Sequence, residues 1–156
     1  MIDFTKLSEK FPGTHIHWRV ARESSKGDKV QVLAYLENRD VMKRLDDVCG
    51  PENWKNEYTT SPNGGILCGI SIKCGDEWVT KWDGAENTNV EAVKGGLSDS
   101  MKRAAVQWGI GRYLYYLTMT YVPLADRGQN FHKSKSGQIK YSIKRTGRTS
   151  LANGIV

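Results

Sequence analysis

An adjacent basic pair, Lys102 and Arg103, lies in a stretch with a helical pattern, TNVEAVKGGLSDSMKRAAVQWGIGRYLYYL, residues 88–117. Lys and Arg side chains bind phosphate groups and hold a nucleic-acid backbone without occupying its base edges. At about 100° per residue, Lys102 falls on the flank of the apolar face and Arg103 nearly opposite that face. Asp99 lies one turn before Arg103, so the alternative to a binding site is a solvated helix face with an i,i+4 salt bridge.

The stretch around this pair has the signals of a long helix. Thr88 followed by Glu91 is a capping box, which satisfies amide donors at a helix start. Apolar residues then recur at steps of three and four and define one face: Val90, Val93, Leu97, Met101, Ala104, Ala105 and Trp108. Gly109 and Gly111 interrupt the pattern near its end. The pattern predicts the main helix of the domain.

The segment THIHWRVARES, residues 14–24, alternates with a period of two, which predicts a strand. Ile16, Trp18 and Val20 fall on one face of it. The other face holds His15, His17, Arg19 and Ala21. Two histidines at i,i+2 on a strand are either a metal-binding pair or two exposed side chains, and the sequence offers no third ligand near them.

The remaining elements follow from turn and cap signals. Residues 29–36 predict a return strand, and Asn38 predicts the cap of a second helix over residues 39–49. Asn63-Gly64-Gly65 predicts a hairpin turn between two further strands, and residues 78–83 predict a third. The order β-β-α-β-β-β-α predicts an α+β fold, with an antiparallel sheet packed against one long helix. Pro123 excludes a central strand after that helix.

The charge is unevenly distributed along the 156 residues. Residues 127–156 hold seven Lys and Arg and no acid, whereas residues 1–126 are nearly neutral. We therefore expect a folded domain over residues 1–126 followed by a flexible basic tail over residues 127–156, and such a tail suggests nucleic acid or an acidic surface as its partner. A basic-tailed protein-interaction module is the alternative.

Cysteine usage and hydropathy bear on the cellular location. The three cysteines contain no CxxC motif, which favours free thiols and a cytoplasmic location. No apolar run reaches the length of a membrane span, so we expect no membrane association.

The sequence lacks the common signatures of enzymes. No GxxxxGK[S/T] loop is present, so nucleotide hydrolysis has no support and we expect no cofactor. The carboxylate pairs Asp46-Asp47, Asp76-Glu77 and Asp83/Glu86 could hold Mg²⁺. A metal-dependent nuclease of DNA metabolism is therefore the alternative to a non-enzymatic protein.

Seven short motifs occur in a fixed order along the chain. They are W-R (18–19), A-Y-L (34–36), V-M-K-R-L-D-D-V (41–48), G-P-E-N-W (50–54), C-G-I-S-I (68–72), W-D-G-A (82–85) and K-G-G-L-S-D-S-M-K-R-A-A-V-Q-W-G-I-G-R-Y-L (94–114). In this order and spacing, the chain resembles the Rad-fifty-two/Rad-twenty-two family of single-strand annealing proteins, and most of all its short phage and bacterial members. The resemblance covers about two thirds of the chain, and S-D-S-M-K-R-A (98–104) is its most specific part.

The resemblance implies a protein that is neither an enzyme nor dependent on ATP. Such a protein binds single-stranded DNA and anneals complementary strands in homologous recombination and DNA repair. The resemblance also implies a homo-oligomeric ring or filament that holds the strand in a basic groove. A single-strand binding protein or a nuclease is a further candidate partner.

The resemblance also assigns residues to the DNA. By their places in the motifs, the candidates are Lys102, Arg103, Arg19 with Arg22 as the alternative match, Tyr35 and Lys94; we add Lys29 at the start of the return strand. Lys94 falls inside the apolar arc of the predicted helix, so either its side chain snorkels or the helix is irregular at Gly95-Gly96. Eukaryotic members carry a basic residue where this chain has Val106, and a long partner-binding C-terminal half. We therefore do not expect recombinase recruitment through such a half.

Overall fold

The chain folds into helices and strands that form two compact units. The computed structural model describes residues 1–26, 29–62, 64–85, 92–117, 120–123, 132–133 and 139–140. Its helices and strands are β1 (His17–Glu23), β2 (Lys29–Tyr35), α1 (Asn38–Cys49), β3 (Trp54–Thr60), β4 (Ile66–Cys74), β5 (Glu77–Ala85), α2 (Ala92–Gln107), β6 (Thr120–Pro123), β7 (His132–Lys133) and β8 (Ile139–Lys140). We call Met1–Phe11 with Leu36–Tyr115 the helix–sheet unit, and Pro12–Tyr35 with Tyr116–Val156 the hairpin unit.

The hairpin unit contains a three-stranded antiparallel sheet in the order β1-β2-β6. This confirms the predicted strand and its return strand. β6 pairs with β2 and forms an edge, and Pro123 is its last residue, in agreement with the expectation that proline excludes a central position. Val30 and Val32 of β2 are buried, so one face of the central strand is apolar.

The first helix of the helix–sheet unit, α1, begins one residue earlier than predicted. Its N-cap is Glu37, whose amide donates to the Asp40 carboxylate at 3.2 Å. The prediction that Asn38 caps this helix was wrong, because Asn38 is itself the first helical residue. Val41 and Leu45 are buried, and Gly50 ends the helix with φ of 84°.

The second sheet is antiparallel, in the order β3-β4-β5. The predicted hairpin turn between β3 and β4 is confirmed, since the Ser61 amide donates to the Gly65 carbonyl at 2.7 Å. Cys68, Ile70 and Ile72 of β4 are fully buried on the face that α2 covers. This burial raises the pKa of the Cys68 thiol to about 11, because an ionised thiolate would be poorly solvated there.

The second helix, α2, is shorter than predicted. It ends at Gln107, and a short 3-10 helix over Arg112–Tyr116 follows a turn. The prediction of a helix extending to residue 117 was wrong, because Gly109 and Gly111 adopt φ of 95° and 69°. The carbonyl of Gln107 accepts hydrogen bonds from Arg112 and from Lys81 of β5 instead. These two cations stabilise the negative end of the helix.

The structure confirms the α+β class and the predicted order of elements through α2. It differs in that the five strands that precede α2 belong to two sheets rather than one, with α2 packed on β3-β4-β5. The N-terminal segment contains a 3-10 helix, Phe4–Ser8. The predicted capping box at Thr88 and Glu91 lies outside the described residues, as does the predicted tail apart from β7 and β8. No helix among the described residues is long and apolar enough to cross a membrane.

Candidate nucleic-acid interface

An irregularity in β1 determines which of its side chains share a face. Arg19 pairs with Leu33 and Arg22 pairs with Gln31, so the register shifts between them and Ala21 is the extra residue. Leu33 and Gln31 are two residues apart on β2 and therefore point to the same side of the sheet. The bulge thus brings Arg19 and Arg22 onto one face.

Two further candidates lie on this same face. Lys29 lies two positions before Gln31 and Tyr35 lies four positions after it, and strand side chains alternate with a period of two. We call Arg19, Arg22, Lys29 and Tyr35 the hairpin cationic face. The three basic side chains are exposed, and Tyr35 is half-buried. Four residues chosen from the sequence as DNA contacts therefore share one surface.

Two contacts order the side chains of the hairpin cationic face. The Arg22 Nε donates to the Gln31 Oε1 at 2.6 Å, which fixes the guanidinium against the strand. The Tyr35 ring lies against the ring of His17, with centroids 5.5 Å apart and planes 33° from parallel. His15, in contrast, belongs to a 3-10 helix before the strand, so the two histidines do not form the predicted i,i+2 strand pair.

The basic pair of α2 lies in the helix–sheet unit and is matched by carboxylates. The Lys102 ammonium lies 3.1 Å from the Asp99 carboxylate, and the Arg103 Nε lies 3.2 Å from the Asp83 Oδ1. The predicted pairing of Asp99 with Arg103 was therefore wrong. Arg103 instead reaches Asp83 of β5. Its side chain therefore lies beside the sheet, not on the side of α2 opposite the apolar face.

Asp83 is the residue of this surface whose contacts sequence reasoning missed. Its Oδ1 accepts from the Gly84 amide at 2.7 Å as well as from Arg103, and the Gln107 side chain lies 3.5 Å from its Oδ2. The sequence placed Asp83 among possible metal ligands. The signal that could have identified its role is the W-D-G-A motif. This motif belongs to the same family pattern as the motif that contains Lys102 and Arg103.

Lys94 belongs to the first turns of α2, but its side chain is outside the described set. Its assignment as a DNA contact stays a prediction.

The carboxylate pair on α1 that was suggested for a nuclease has other partners. Asp46 accepts a hydrogen bond from the Trp54 indole at 2.7 Å, and Asp47 pairs with Lys43 at 2.8 Å. Among the residues that the structure describes, no three His, Cys, Asp or Glu side chains are grouped to hold a metal ion. The nuclease alternative therefore finds no support in this part of the chain.

Comparisons with known proteins agree with the resemblance in the sequence. A family model described as "Rad52/22 family double-strand break repair protein" matches residues 4–133. The chain is 35% identical over 114 residues to the single-stranded DNA-binding protein DdrA of Deinococcus radiodurans, covering 72% of this chain and 54% of that protein. It is 32% identical over 123 residues to DdrA of Deinococcus deserti, covering 78% of this chain and 60% of that protein. The chain therefore spans little more than half the length of these curated relatives.

Proposed function

The chain belongs to the Rad52/22 family of double-strand break repair proteins, and we propose on that premise that it binds single-stranded DNA and anneals complementary strands without ATP. Both relatives carry the name single-stranded DNA-binding protein. The proposed role is in recombination and repair within the cell. The observation that best supports it is the hairpin cationic face, where a bulge brings Arg19 and Arg22 onto the same face as Lys29 and an aromatic ring.

The residues of this face suit a strand that must stay readable. Arg and Lys bind phosphates and leave base edges free to pair with a second strand. Tyr35 offers a ring on which a base can stack without losing its pairing edge. The described residues of the face carry no carboxylate that would oppose a phosphate. We propose that Arg19, Arg22, Lys29 and Tyr35 contact the strand, together with Lys94, Lys102 and Arg103 of α2.

We also propose that the protein acts as a homo-oligomer. Each phosphate contact is weak, and a groove repeated around a ring or filament multiplies the contacts along one strand. Residues 1–126 form the annealing domain in this proposal, and residues 127–156 add charge. Annealing proceeds without an energy source because the duplex is more stable than either bound strand.

Anisotropy of a labelled thymidine oligonucleotide tests the binding site. Lys102→Ala with Arg103→Ala should weaken binding and reduce the magnitude of the salt slope by about 1.4, since each phosphate contact contributes about 0.7. Lys43→Ala is the matched control, because Lys43 is also a helix lysine paired with a carboxylate. An unchanged affinity and slope in the double variant would refute the site assignment.

The activity itself needs a second measurement. Annealing of two complementary labelled strands should be accelerated in the absence of nucleotide and of divalent metal. Shortened strands after incubation with Mg²⁺ or Mn²⁺ would instead indicate the nuclease. Electron microscopy with and without the oligonucleotide tests the oligomer, and a strict monomer would contradict it.

A further inference from the structure

The sheet β3-β4-β5 has a second face, opposite α2, that carries exposed aromatic residues. Residues paired across antiparallel strands share a face, and the pairs Gly69–Trp82 and Lys73–Trp78 belong to the face that alternates with buried Ile70 and Ile72. Trp78 and Trp82 are each 44% exposed. We call this surface, with Lys55, Glu57, Gly69 and Lys73, the tryptophan face.

The Trp82 ring lies flat on the sheet. A Cβ atom added at Gly69 would lie 2.6, 2.7 and 2.8 Å from Cε2, Cζ2 and Cδ2 of Trp82. Cε2 and Cδ2 form the bond shared by the two rings of the indole, and Cζ2 is bonded to Cε2. Because the three distances are nearly equal, the Gly69 backbone faces the plane of the indole and not its edge. One side of the ring is therefore seated on glycine, and the exposed area of Trp82 belongs to the other side.

Trp78 forms a second aromatic site on the same strand. It precedes Trp82 by four residues, which corresponds to about 13 Å along a strand. The Lys55 ammonium lies 5.4 Å from the centre of the Trp78 ring, and Lys73 is its direct partner on β4. Glu57 lies 3.4 Å from Lys55 and offsets one of these two charges, so the tryptophan face keeps a net positive charge.

We propose that the tryptophan face stacks bases of single-stranded DNA, with Lys55 and Lys73 near the phosphates. This inference rests on the proposed function and adds a base-stacking surface to it. Flat aromatic rings flanked by cations bind single strands irrespective of sequence. The spacing of about 13 Å far exceeds the rise of about 3.4 Å in stacked DNA, so the two rings suit an extended strand rather than a duplex.

A second copy of the chain is the other possible occupant of this face. Such a contact would bury the ammonium groups of Lys55 and Lys73 together with the tryptophans, at a cost in desolvation. The two lysines therefore favour a polyanion. Stacking also fits annealing, because a base bound through its π-face keeps its Watson–Crick edge available.

An abasic strand separates stacking from phosphate binding. The probes are a thymidine oligonucleotide and an abasic oligonucleotide of the same length, at one salt concentration. Trp78→Ala with Trp82→Ala should weaken thymidine binding by on the order of tenfold for each base unstacked. The double variant should bind the abasic strand as the wild type does, and its salt slope should be unchanged because no phosphate contact is removed.

Two further variants protect the test from a folding defect. Trp78→Phe with Trp82→Phe keeps flat rings and should retain most of the preference for thymidine over the abasic strand. Val79→Ala is the matched control, since Val79 lies on the same strand, is 38% exposed and points to the opposite face. If the alanine variant unfolds, a preference for thymidine that persists in Tyr35→Ala supports the proposal, because that variant lacks the other ring proposed to stack a base; loss of the preference in Tyr35→Ala would contradict it.

Three outcomes would overturn this inference. They are equal binding of both strands by the wild type, an unchanged thymidine affinity in a folded alanine variant, and a change of oligomer size in that variant without a change in affinity. The last would assign the face to a second copy. If Lys102→Ala with Arg103→Ala still weakens binding and lowers the salt slope, the proposed function stands and only the tryptophan face is refuted. A wild type that binds neither strand would refute both.

Discussion

Removing the charge of Asp83 should make single-stranded DNA bind more tightly. Asp83 pairs with Arg103, so an incoming phosphate must displace or share this carboxylate. Asp83→Asn removes the negative charge and keeps the Oδ1 that accepts from the Gly84 amide and from Arg103. The substitution therefore changes the electrostatics of the site with little change to its geometry.

The size of the effect follows from Coulomb's law. Two unit charges about 6 Å apart in water interact by roughly 0.7 kcal/mol, and this repulsion between Asp83 and a phosphate on Arg103 disappears in the variant. That energy corresponds to about threefold in the dissociation constant. Asp99→Asn should have a similar effect through Lys102, and the two together should give about tenfold if they are additive.

Anisotropy titrations with a thymidine oligonucleotide at several salt concentrations measure this effect. Asp47→Asn is the control, because it adds the same net charge beside Lys43 on α1. The salt slope should stay unchanged in Asp83→Asn, since the number of phosphate contacts is the same. If Asp83→Asn weakens binding while Asp47→Asn does not, Asp83 acts mainly by orienting Arg103, and the reasoning from charge is refuted.

Three further predictions concern the stability of the fold, measured by urea unfolding. Arg44→Met should lower the free energy of unfolding by about 2 kcal/mol, because one Arg44 nitrogen donates to three carbonyls of the N-terminal segment at 2.7–3.3 Å; no loss would contradict this. Gly111→Ala should lower the free energy of unfolding by about 1–2 kcal/mol, because φ is 69° and the new Cβ would lie 2.8 Å from the Leu36 side chain. Gly95→Ala, on α2, should leave this free energy unchanged or raise it, because no atom lies within 4 Å of the new Cβ. Burial raises the pKa of the Cys68 thiol from 9.0 to about 11, so between these pH values the thiol ionises in the unfolded chain but not in the folded one. The free energy of unfolding should therefore be constant below pH 9 and fall by up to about 2–3 kcal/mol as the pH rises toward 11. Cys68→Ala should lack this part of the pH dependence.

The sequence predicted the elements of this fold better than the arrangement of its charges. Periodicity identified the strands and both helices, because burial of Ile70, Ile72 and Met101 depends on a repeat that is visible in one segment at a time. It overestimated the length of α2 because Gly109 and Gly111 signal a break without revealing its position. The local pattern also could not show that the strands separate into two sheets, which depends on contacts between distant segments.

The candidate site shows the same limit. Plain alternation places Arg22 on the opposite face from Arg19, since the two are three positions apart, and only the bulge at Ala21 brings them together. The pairing of Arg103 with Asp83 spans twenty positions and could not be derived from helical spacing, which offered Asp99 instead. Both features depend on register between strands or packing between elements.

The two cationic surfaces differ in a way that bears on how annealing could turn over. Arg19 and Lys29 share a face on which the described residues carry no carboxylate, so their charges act at a distance on an approaching strand. Lys102 and Arg103 each contact a carboxylate, so the proposed binding of a phosphate requires exchange of one anion for another. This exchange lowers the net free energy gained from each phosphate contact, so the phosphate is released more easily. We infer that the hairpin cationic face attracts the strand and that the paired cations of α2 keep the complex weak enough for a duplex to leave.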